Sequence, residues 1–434
     1  MIPQNIYMVG IGGIGMSALA QLLAHQGKEV SGSDREESPT TALLARKGIT
    51  VAIGHDNCLI PADCELLIYS DAVPEDNVER VRAREMHIPE LSYFEALGEI
   101  SRGARTIAIA GTHGKTTTTG MLARILQRAG KEPTAIVGSI VRDFPGRTGG
   151  SNFLAGSDEL LVVEACEYRD HVLKLSPEIL VITNIELDHT DYFPNLTAVQ
   201  ETFRKAVEKV SGDGFIITNP KDPNVAPVLQ GVSAEVVDFT HEEVPELGLI
   251  GGFNRENARA AKAAARAAFP DISDGAIDDA LAHFQGSWRR FEYKGKTSRG
   301  AYVYDDYAHH PTAIVKTIEA AREKFPSKKI IVAFHPHLYS RTRDLMEGFA
   351  KALATADEVV LAPIYAAREE PISGVSSDVL AKTIAALGTP AQAFPSLHDV
   401  YDYLATSYQL PATSLLITMG AGDIYKVADQ IVDV

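Results

Sequence analysis

The segment at positions 106–122, TIAIAGTHGKTTTTGML, has the residue types of a loop that holds a nucleotide phosphate. Its apolar start predicts a short buried strand over 106–110, and the threonine-rich part predicts a helix from about Thr117. Backbone N–H groups at the N-terminus of such a helix bind phosphate oxygens, and a lysine adds a full positive charge. The loop is a shortened variant of GxxxxGK[ST], which would require glycine at Ile109. We predict phosphate contacts from seven loop residues: Gly111, Thr112, His113, Gly114, Lys115, Thr116 and Thr117.

A second glycine loop, GIGGIG at 10–15, follows a strand predicted over 6–9 and precedes a helix predicted over 16–26. It fits GxGxxG, the turn that places a diphosphate on a helix N-terminus. Asp34 ends the next predicted strand, where a carboxylate can accept hydrogen bonds from a ribose. The motif specifies a nucleotide diphosphate rather than NAD in particular, and a turn whose glycines serve packing alone is the competing interpretation. The predicted ligand contacts are Gly10, Gly12, Gly13, Ile14, Gly15 and Asp34.

Two further predicted strands end in acidic sequence. The strand over 160–163 is followed by Glu164, and the strand over 179–182 runs into TNIELDHTDYF, which contains Asp188 and His189. Because open parallel sheets bind their ligands at the carboxyl ends of the strands, these residues are candidates for a Mg²⁺ site beside the phosphate loop. The alternative is a solvated acidic turn in which Asp188 caps a helix.

The composition limits the class of protein. A chain of 434 residues with 45% hydrophobic content is long enough for about three domains. The formal net charge of −16 argues against a nucleic-acid surface as the principal partner. No apolar run approaches the roughly 20 residues of a membrane span, and the N-terminus lacks signal-peptide features, so a cytoplasmic location is expected. Cys58, Cys64 and Cys166 lack CxxC spacing, which predicts small apolar residues rather than a disulfide framework or a zinc site.

Alternating strands and helices along the whole chain predict an α/β protein. Polar segments near 101–105 and 284–288 predict the domain boundaries. The predicted domains are therefore 1–102, 103–286 and 287–434.

The last part of the chain carries its polar residues where predicted strands end. Four such strands run into DDYAHHP, HPHLYSRT, APIYAAREEPISG and MGAGDIY, which predicts one functional rim. Before this part, an alanine-rich helix is predicted over 251–269. Asn254 and Asn257 near its start could hydrogen-bond a purine, while helix capping is the competing role for either side chain.

Taken together, these motifs resemble the Mur ligases, ATP-dependent enzymes that build the peptide stem of peptidoglycan. GTHGKTTTT, TNIELDHTDYF, FNxxNAxAA, RRFE, DDYAHHPTAI, PHLYSRT and MGAGDIY occur in the order and spacing of that family over essentially the whole chain. GIGGIG alone is a weak signal, but the ordered set is highly specific. The resemblance implies an N-terminal Rossmann-like domain for a UDP sugar, a central phosphate-loop ATPase with a mostly parallel sheet, and a C-terminal Rossmann-like domain for an amino acid.

The resemblance also implies a reaction. Within the family, GIGGIGMSALA, SGSD and DDYAHHP imply the ligation of L-alanine to the lactyl carboxylate of UDP-N-acetylmuramate through an acyl phosphate, with ATP and Mg²⁺ as cofactors. No nucleic acid and no membrane insertion are implied, and the chain would be a monomer or a homodimer.

Roles for individual residues follow from the same resemblance. Lys115 would stabilise the transferred phosphate, Thr116 and Glu164 would hold one Mg²⁺, and His189 would hold a second. His337 and Arg341 would approach substrate carboxylates. Ser70 would join the UDP-sugar contacts. The remaining nucleotide contacts would be Asn254 and Asn257 at adenine, Arg289 or Arg290 at the phosphates, and Asp305, His309 and His310 on the ATP side.

Two segments depart from the family pattern. PHRYTRT is PHLYSRT here, with Leu338 at the first arginine, and EADESDxSF is EACEYRDHVL. Both departures bear on how the amino acid is recognised.

Three other functions are consistent with part of the sequence. A recycling ligase would join a whole tripeptide to the same UDP sugar. An NAD-dependent oxidoreductase would explain GIGGIG and Asp34 but not GTHGKTTTT. A nucleotide-gated binding protein would keep the fold and bind ATP without releasing phosphate.

Overall fold

A computed structural model describes residues 2–146, 149–367, 369–407 and 410–432. Within these residues the strands form three sheets, each mainly parallel and each packed against helices. The predicted α/β class is therefore confirmed.

The first sheet is parallel throughout. Its strands are β1 Asn5–Val9, β2 Glu29–Asp34, β3 Thr50–Ile53, β4 Leu66–Tyr69 and β5 Glu90–Ser92. The helices along this part of the chain are α1 Ile14–His25, α2 Pro39–Arg46, α3 Val78–Glu85 and α4 Tyr93–Ser101. The strand order is β3-β2-β1-β4-β5, so successive strands are added on one side of β1 up to β3 and on its other side from β4. The loops after β1 and β4 therefore meet at a switch point, where sheets of this type bind ligands.

The second sheet is parallel except for one antiparallel pair, β7 with β8. Its strands are β6 Arg105–Ala110, β7 Thr134–Val141, β8 Ser151–Leu154, β9 Leu160–Glu164, β10 Ile179–Ile182, β11 Phe215–Thr218 and β12 Glu235–Asp238. The helices in this part of the sequence are α5 Lys115–Arg128, α6 Leu196–Val207, α7 Gly252–Ala268 and α8 Asp274–Ala282, with 3₁₀ turns at Tyr168–Lys174, Ala226–Leu229 and Phe239–His241.

The order of the second sheet, β12-β11-β10-β6-β9-β7-β8, explains where its site lies. β6 pairs with β9 on one side and with β10 on the other, and Ile109 lies opposite Glu164. The loop after β6 is therefore flanked by the residues that follow both neighbouring strands.

The third sheet is parallel except for β13, which pairs antiparallel with β14. Its strands are β13 Glu292–Lys296, β14 Tyr302–Asp306, β15 Lys329–Phe334, β16 Glu358–Leu361, β17 Ala391–Ala393 and β18 Ser414–Met419, in the order β13-β14-β18-β15-β16-β17. The helices are α9 Pro311–Lys324, α10 Tyr339–Asp344, α11 Met346–Leu353, α12 Ser377–Ala386, α13 Leu397–Asp402 and α14 Tyr425–Val432, with a π-helical turn at Tyr403–Ser407. Each face of this sheet packs on its own apolar core: Val332 lies in one and Ile331 in the other.

The described chain divides into two compact units. The first contains the residues up to Glu186 with Thr197–Glu246 and Glu256–Gln285, and so holds the first two sheets. The second contains Leu187–Leu196, Leu247–Arg255 and the chain from Gly286 onward. The proposed domain boundaries at 102 and 286 stay a prediction.

Two predicted elements need correction. The sequence HIPEL at 87–91 also predicts a short strand, but the strand is observed at Glu90–Ser92, because His87 adopts a left-handed φ of 60° as the chain leaves α3. The helix of the phosphate loop begins at Lys115 rather than near Thr117, because Gly114 already caps it. The cysteines are unbridged as predicted, but Cys58 is exposed rather than packed in a core.

Among the described residues, the helices are all too short or too polar to cross a membrane.

Gly32 in β2 tests the packing of the first sheet. A Cβ at this position would lie 2.1 Å from the carbonyl oxygen of Met8 on β1, so Gly32→Ala must push two paired strands apart. We expect a loss of about 1–3 kcal/mol, seen as a lower melting temperature in scanning calorimetry. Gly275→Ala is the matched control, because its Cβ would meet no atom within 4 Å. Equal melting temperatures for the two variants would contradict this account.

Candidate active site

The phosphate loop takes its shape from two glycines with left-handed backbone angles. Gly111 has φ of 122° and Gly114, the N-cap of α5, has φ of 86°. A Cβ on Gly111 would lie 2.1 Å from Oγ1 of Thr183, and one on Gly114 would lie 2.2 Å from Oδ1 of Asn257. Only glycine therefore fits either position, which accounts for the two glycines of GTHGK.

Residues after β10 hold the loop in place. The backbone N–H of His113 donates to Oδ1 of Asn184 at 2.9 Å, and Nδ2 of Asn184 donates back to the His113 carbonyl at 3.1 Å. Oγ1 of Thr183 donates to the same carbonyl at 2.6 Å. Oγ1 of Thr112 donates to the Glu186 carbonyl and accepts from the Glu186 backbone N–H. These bonds fix the loop in its phosphate-binding shape before any ligand arrives.

Lys115 is held by a buried carboxylate. Its Nζ donates to both oxygens of Glu167, at 3.0 and 3.3 Å, and also to the carbonyl of Gly111. The Glu167 side chain is 2% exposed. Burial alone would lower the pKa of Lys115, but Glu167, with Cys166 and Glu164 nearby, outweighs burial and raises that pKa above its ordinary value. The ammonium group is therefore charged at the mouth of the loop.

Thr116 and Glu164 lie together as predicted for a Mg²⁺ site. Oγ1 of Thr116 donates to Oε1 of Glu164 at 3.0 Å, and the backbone N–H of Gly138 donates to Oε2 at 2.7 Å. Mg²⁺ takes oxygen ligands at 2.0–2.1 Å in an octahedron, which puts adjacent ligand oxygens about 3.0 Å apart. The two oxygens thus fit neighbouring positions around one Mg²⁺ ion. His189, predicted for a second ion, belongs to the other compact unit.

The first glycine loop is bound to the strand beside it. The backbone N–H of Gly12 donates to Oδ2 of Asp34 at 2.8 Å, and Gly10 donates to the Ser33 carbonyl at 2.9 Å. A Cβ on Gly10 would lie 3.0 Å from Cβ of Ser70, so the loops after β1 and β4 meet as the strand order requires. Gly13 caps α1 without a side-chain hydrogen bond. The predicted residues are brought together, and Asp34 already accepts one hydrogen bond from the loop itself.

In the second unit, Arg289 belongs to the interior and is 3% exposed. Its Nε donates to Oδ2 of Asp305 at 2.7 Å, and its two other nitrogens donate to the carbonyls of Gly420 and Gly422. All three nitrogens are thus bound within the protein, and contacts of Arg289 and Asp305 with a nucleotide stay a prediction. A contact of Arg290 with a nucleotide phosphate likewise stays a prediction.

Arg341 and His337 form one hydrogen-bonded group with Asp188. Nε and Nη2 of Arg341 donate to Oδ1 of Asp188 at 3.0 and 2.8 Å, and Nη1 donates to Nδ1 of His337 at 3.0 Å. Burial would raise the pKa of Asp188, but Arg341, helped by three histidines, holds it well below its usual range. Asp188 therefore neutralises Arg341 and does not cap a helix, and any substrate carboxylate at Arg341 would have to share it.

The neighbouring predicted residues take up defined positions in this unit. His189 has a left-handed φ of 52°, and its backbone N–H also donates to Asp188. Burial, with Arg341 nearby, lowers the pKa of His309 well below its ordinary value. Nδ1 of His310 accepts from the Thr312 N–H, so Nε2 carries the proton that reaches the Leu187 carbonyl.

Leu338, Asn254 and Asn257 also have defined surroundings in the structure. Leu338, where the family has arginine, is 2% exposed with φ of 69°, so this position is part of an apolar interior. Asn254 donates to the Ile250 carbonyl at 2.7 Å, while Asn257 packs against Gly114 of the phosphate loop. Contacts from either asparagine to adenine stay a prediction.

Glu167, the partner of Lys115, is the candidate site residue that sequence reasoning missed. It lies three residues after Glu164, at the end of a strand predicted to bear site residues, and that position was the available signal. Its pairing with Lys115 could not be read from the sequence, because the two residues are 52 positions apart and meet only through the strand order.

The fold and these side chains together define a nucleotide-dependent α/β enzyme. It has glycine loops after two central parallel strands, a lysine held at the phosphate position, and a hydroxyl–carboxylate pair suited to Mg²⁺. Comparison with known families narrows this class. Residues 5–105 match the model of the Mur ligase family catalytic domain, residues 109–245 the Mur ligase middle domain, and residues 289–422 the Mur ligase glutamate ligase domain.

The chain belongs to the Mur ligase family, whose members are ATP-dependent ligases and whose middle domain binds ATP. A UDP-N-acetylmuramate–L-alanine ligase of Caldicellulosiruptor saccharolyticus is 38% identical over 99% of this chain and 98% of that protein. One from Clostridium novyi is 38% identical over 99% and 97%. The structure of UDP-N-acetylmuramate–alanine ligase MurC from Thermotoga maritima matches with a TM-score of 0.79 and 29% identity, covering 99% of each chain. Family membership rules out the NAD-dependent oxidoreductase.

Glu167→Gln tests the role of the buried ion pair. Without the Glu167 charge, burial dominates and the pKa of Lys115 falls, so the lysine loses its proton at a lower pH. We expect ATP-dependent phosphate release to drop about 10- to 100-fold. We also expect the alkaline limb of its pH–activity profile, where Lys115 loses its proton, to shift to lower pH. Phosphate release measured across pH checks both effects. Glu159→Gln, on an exposed side chain, is the control and should behave like the wild type. A variant with an unshifted alkaline limb would exclude this role.

Asp188→Asn tests the buried pair of the second unit. The pKa of Asp188 is depressed in the folded state, so its contribution to stability is present above the unfolded pKa of about 3.9 and is lost as pH falls through the folded pKa. We expect the variant to lose about 3–5 kcal/mol at neutral pH, because Arg341 loses its buried partner, and the difference to shrink below about pH 4. Thermal unfolding at several pH values measures this. Asp344→Asn, in a partly exposed pair with Arg343, should change stability by less than about 1 kcal/mol.

Proposed function

We propose that this protein joins L-alanine to the lactyl carboxylate of UDP-N-acetylmuramate, using ATP and passing through an acyl phosphate, in peptidoglycan biosynthesis. The observation that carries the proposal is the arrangement around β6, where the charged Lys115, the pair Thr116 and Glu164, and a preformed glycine loop face one phosphate position. It is supported by full-length relatives at 38% identity that bear this activity in their names.

The chemistry explains why a phosphate site is needed. A carboxylate is a poor electrophile, so its oxygen first attacks the γ-phosphate of ATP and ADP leaves. The amine of alanine then attacks the carbonyl carbon of the acyl phosphate, phosphate leaves with the bonding electrons, and the amine loses a proton. Phosphoryl transfer depends mainly on positioning and charge neutralisation.

Residues of the second sheet supply both the positioning and the charge neutralisation. The backbone N–H groups at the N-terminus of α5 and the Lys115 ammonium bind phosphate oxygens and orient the γ-phosphate. Glu164, fixed by the Gly138 amide, and the Thr116 hydroxyl would hold Mg²⁺, which neutralises charge on the phosphates when bound. Asn257, packed on Gly114, and Asn254 are proposed to contact adenine.

The first glycine loop is the proposed UDP site. The N-terminus of α1, capped by Gly13 without a side chain, offers backbone N–H groups to a diphosphate. Asp34 and Ser70 complete this site at the switch point of the sheet. A cytoplasmic location accords with ATP and a nucleotide sugar as substrates and stays a prediction.

The second unit is proposed to recognise the amino acid. His337 and Arg341 are the candidates for its carboxylate, Arg290 for a nucleotide phosphate, and His309 and His310 for the ATP side. Because Arg341 already binds Asp188, it would contribute shared rather than free hydrogen bonds, and Leu338 supplies no second guanidinium.

Lys115→Ala tests the central assignment. We expect phosphate release with both substrates present to fall by about 100- to 1,000-fold, because the charge on the transferred phosphate loses its stabilisation. Binding of UDP-N-acetylmuramate, measured by calorimetry without ATP, should stay within about twofold, since that site lies on the other glycine loop. Lys351→Ala, on an exposed side chain of α11, is the control. Full activity in Lys115→Ala would refute the assignment.

The acceptor is identified by the wild-type protein. Phosphate release should require L-alanine together with UDP-N-acetylmuramate. Release that responds to a murein tripeptide instead would show the recycling ligase, and ATP binding without release under any condition would show a binding protein.

A further inference from the structure

Tyr93, the first residue of α4, lies against the first glycine loop, which is the proposed UDP site. A Cβ on Gly15 would be 2.8 Å from Cζ and 2.9 Å from the hydroxyl oxygen of Tyr93. Gly15 lies in the first turn of α1, whose N-terminus is the proposed diphosphate site. The phenol therefore lies beside the first turn of α1, next to the proposed diphosphate site.

The same ring is close to the phosphate-transfer residues. Burial, with Glu164 and Cys166 nearby, raises the pKa of Tyr93 above its ordinary value. The hydroxyl therefore keeps its proton at neutral pH and is a hydrogen-bond donor. Tyr93 is partly exposed, and within the described part of the chain its hydroxyl has no hydrogen-bond acceptor, so the hydroxyl is free to donate to a ligand.

The position of Tyr93 is rigidly defined by its helix. Ser92 and Glu95 form a capping box at the start of α4, and Oε1 of Glu95 accepts from Nζ of Lys174 at 3.1 Å. Phe94 stacks on His171 with ring centroids 3.8 Å apart. The segment that contains His171 follows Glu167, the partner of Lys115. α4 is thus fixed to the segment that leads out of the phosphate-transfer site.

Tyr93 lies against Gly15 at the start of α1, and its electrostatic environment includes Glu164, so a substrate that reaches from one to the other could contact this phenol. UDP-N-acetylmuramate has that form, because its diphosphate and its reacting carboxylate lie at opposite sides of the sugar. Resting on the proposed function, we propose that the Tyr93 hydroxyl donates a hydrogen bond to the diphosphate of UDP-N-acetylmuramate and so helps to position the sugar for phosphoryl transfer.

Tyr93→Phe tests this contact, because it removes only the hydroxyl and keeps the ring against Gly15 and Phe94. A hydrogen bond to a charged group is strong enough that its loss should weaken binding about 10-fold or more. In calorimetry without ATP, we expect this loss for both UDP-N-acetylmuramate and UDP, and unchanged affinity for uridine, which lacks both phosphates. The KM for ATP should not change. Tyr293→Phe, on an exposed tyrosine of β13, is the matched control.

The outcomes distinguish failure of the Tyr93 contact from failure of the proposed function. Wild-type affinity of the Tyr93→Phe variant for UDP would overturn the diphosphate contact, even if affinity for UDP-N-acetylmuramate falls, because the hydroxyl would then bind the sugar. Equal loss for uridine would overturn it too, by indicating a general change in the first sheet. Failure of the wild-type protein to bind UDP-N-acetylmuramate would instead refute the proposed function.

Discussion

The ion pair between Lys115 and Glu167 is the interaction on which the phosphate-transfer site depends. A buried ammonium group is costly unless a carboxylate compensates it, and removal of one partner from such a pair leaves an uncompensated charge. Glu167 is 2% exposed, so it too requires Lys115. The pair keeps the lysine charged and directed across the loop before ATP binds. In the proposed function, the transferred phosphate would meet a lysine that is already charged and in place.

The loop around this pair is constrained from both sides of β6. Asn184 and Thr183, after β10, bind the backbone of His113, while Glu164, at the end of β9, binds the Thr116 hydroxyl. Neither constraint comes from the loop sequence itself. Both follow from the strand order, which places β6 between β9 and β10 in one parallel sheet. The missing glycine at position 109 is explained in the same way, because Ile109 belongs to the buried strand.

Two buried arginines in the second unit are bound by the protein itself and hold its loops in place. Arg289 joins β14 to the loop after β18 through Asp305 and the carbonyls of Gly420 and Gly422. Arg341 joins α10 to the acidic segment through Asp188. Both guanidinium groups are satisfied by the protein, and their first effect is to fix the loops at the strand ends. The sequence motif identifies these positions as important but does not distinguish an arginine that binds a ligand from one that holds a loop.

The sequence by itself determined the fold class, most strand positions and the two glycine loops. Local patterns suffice for these features, because a buried strand needs a continuous apolar run and a left-handed turn needs glycine. The sequence also determined the family, through the order of its motifs. Only the tertiary structure decided which distant residues meet and which charges pair. Lys115 with Glu167, Arg289 with Asp305, Arg341 with Asp188, and Tyr93 against Gly15 join residues that are distant along the chain or on different elements. Such pairs are set by strand order and by the need to neutralise buried charge, and no local pattern records either.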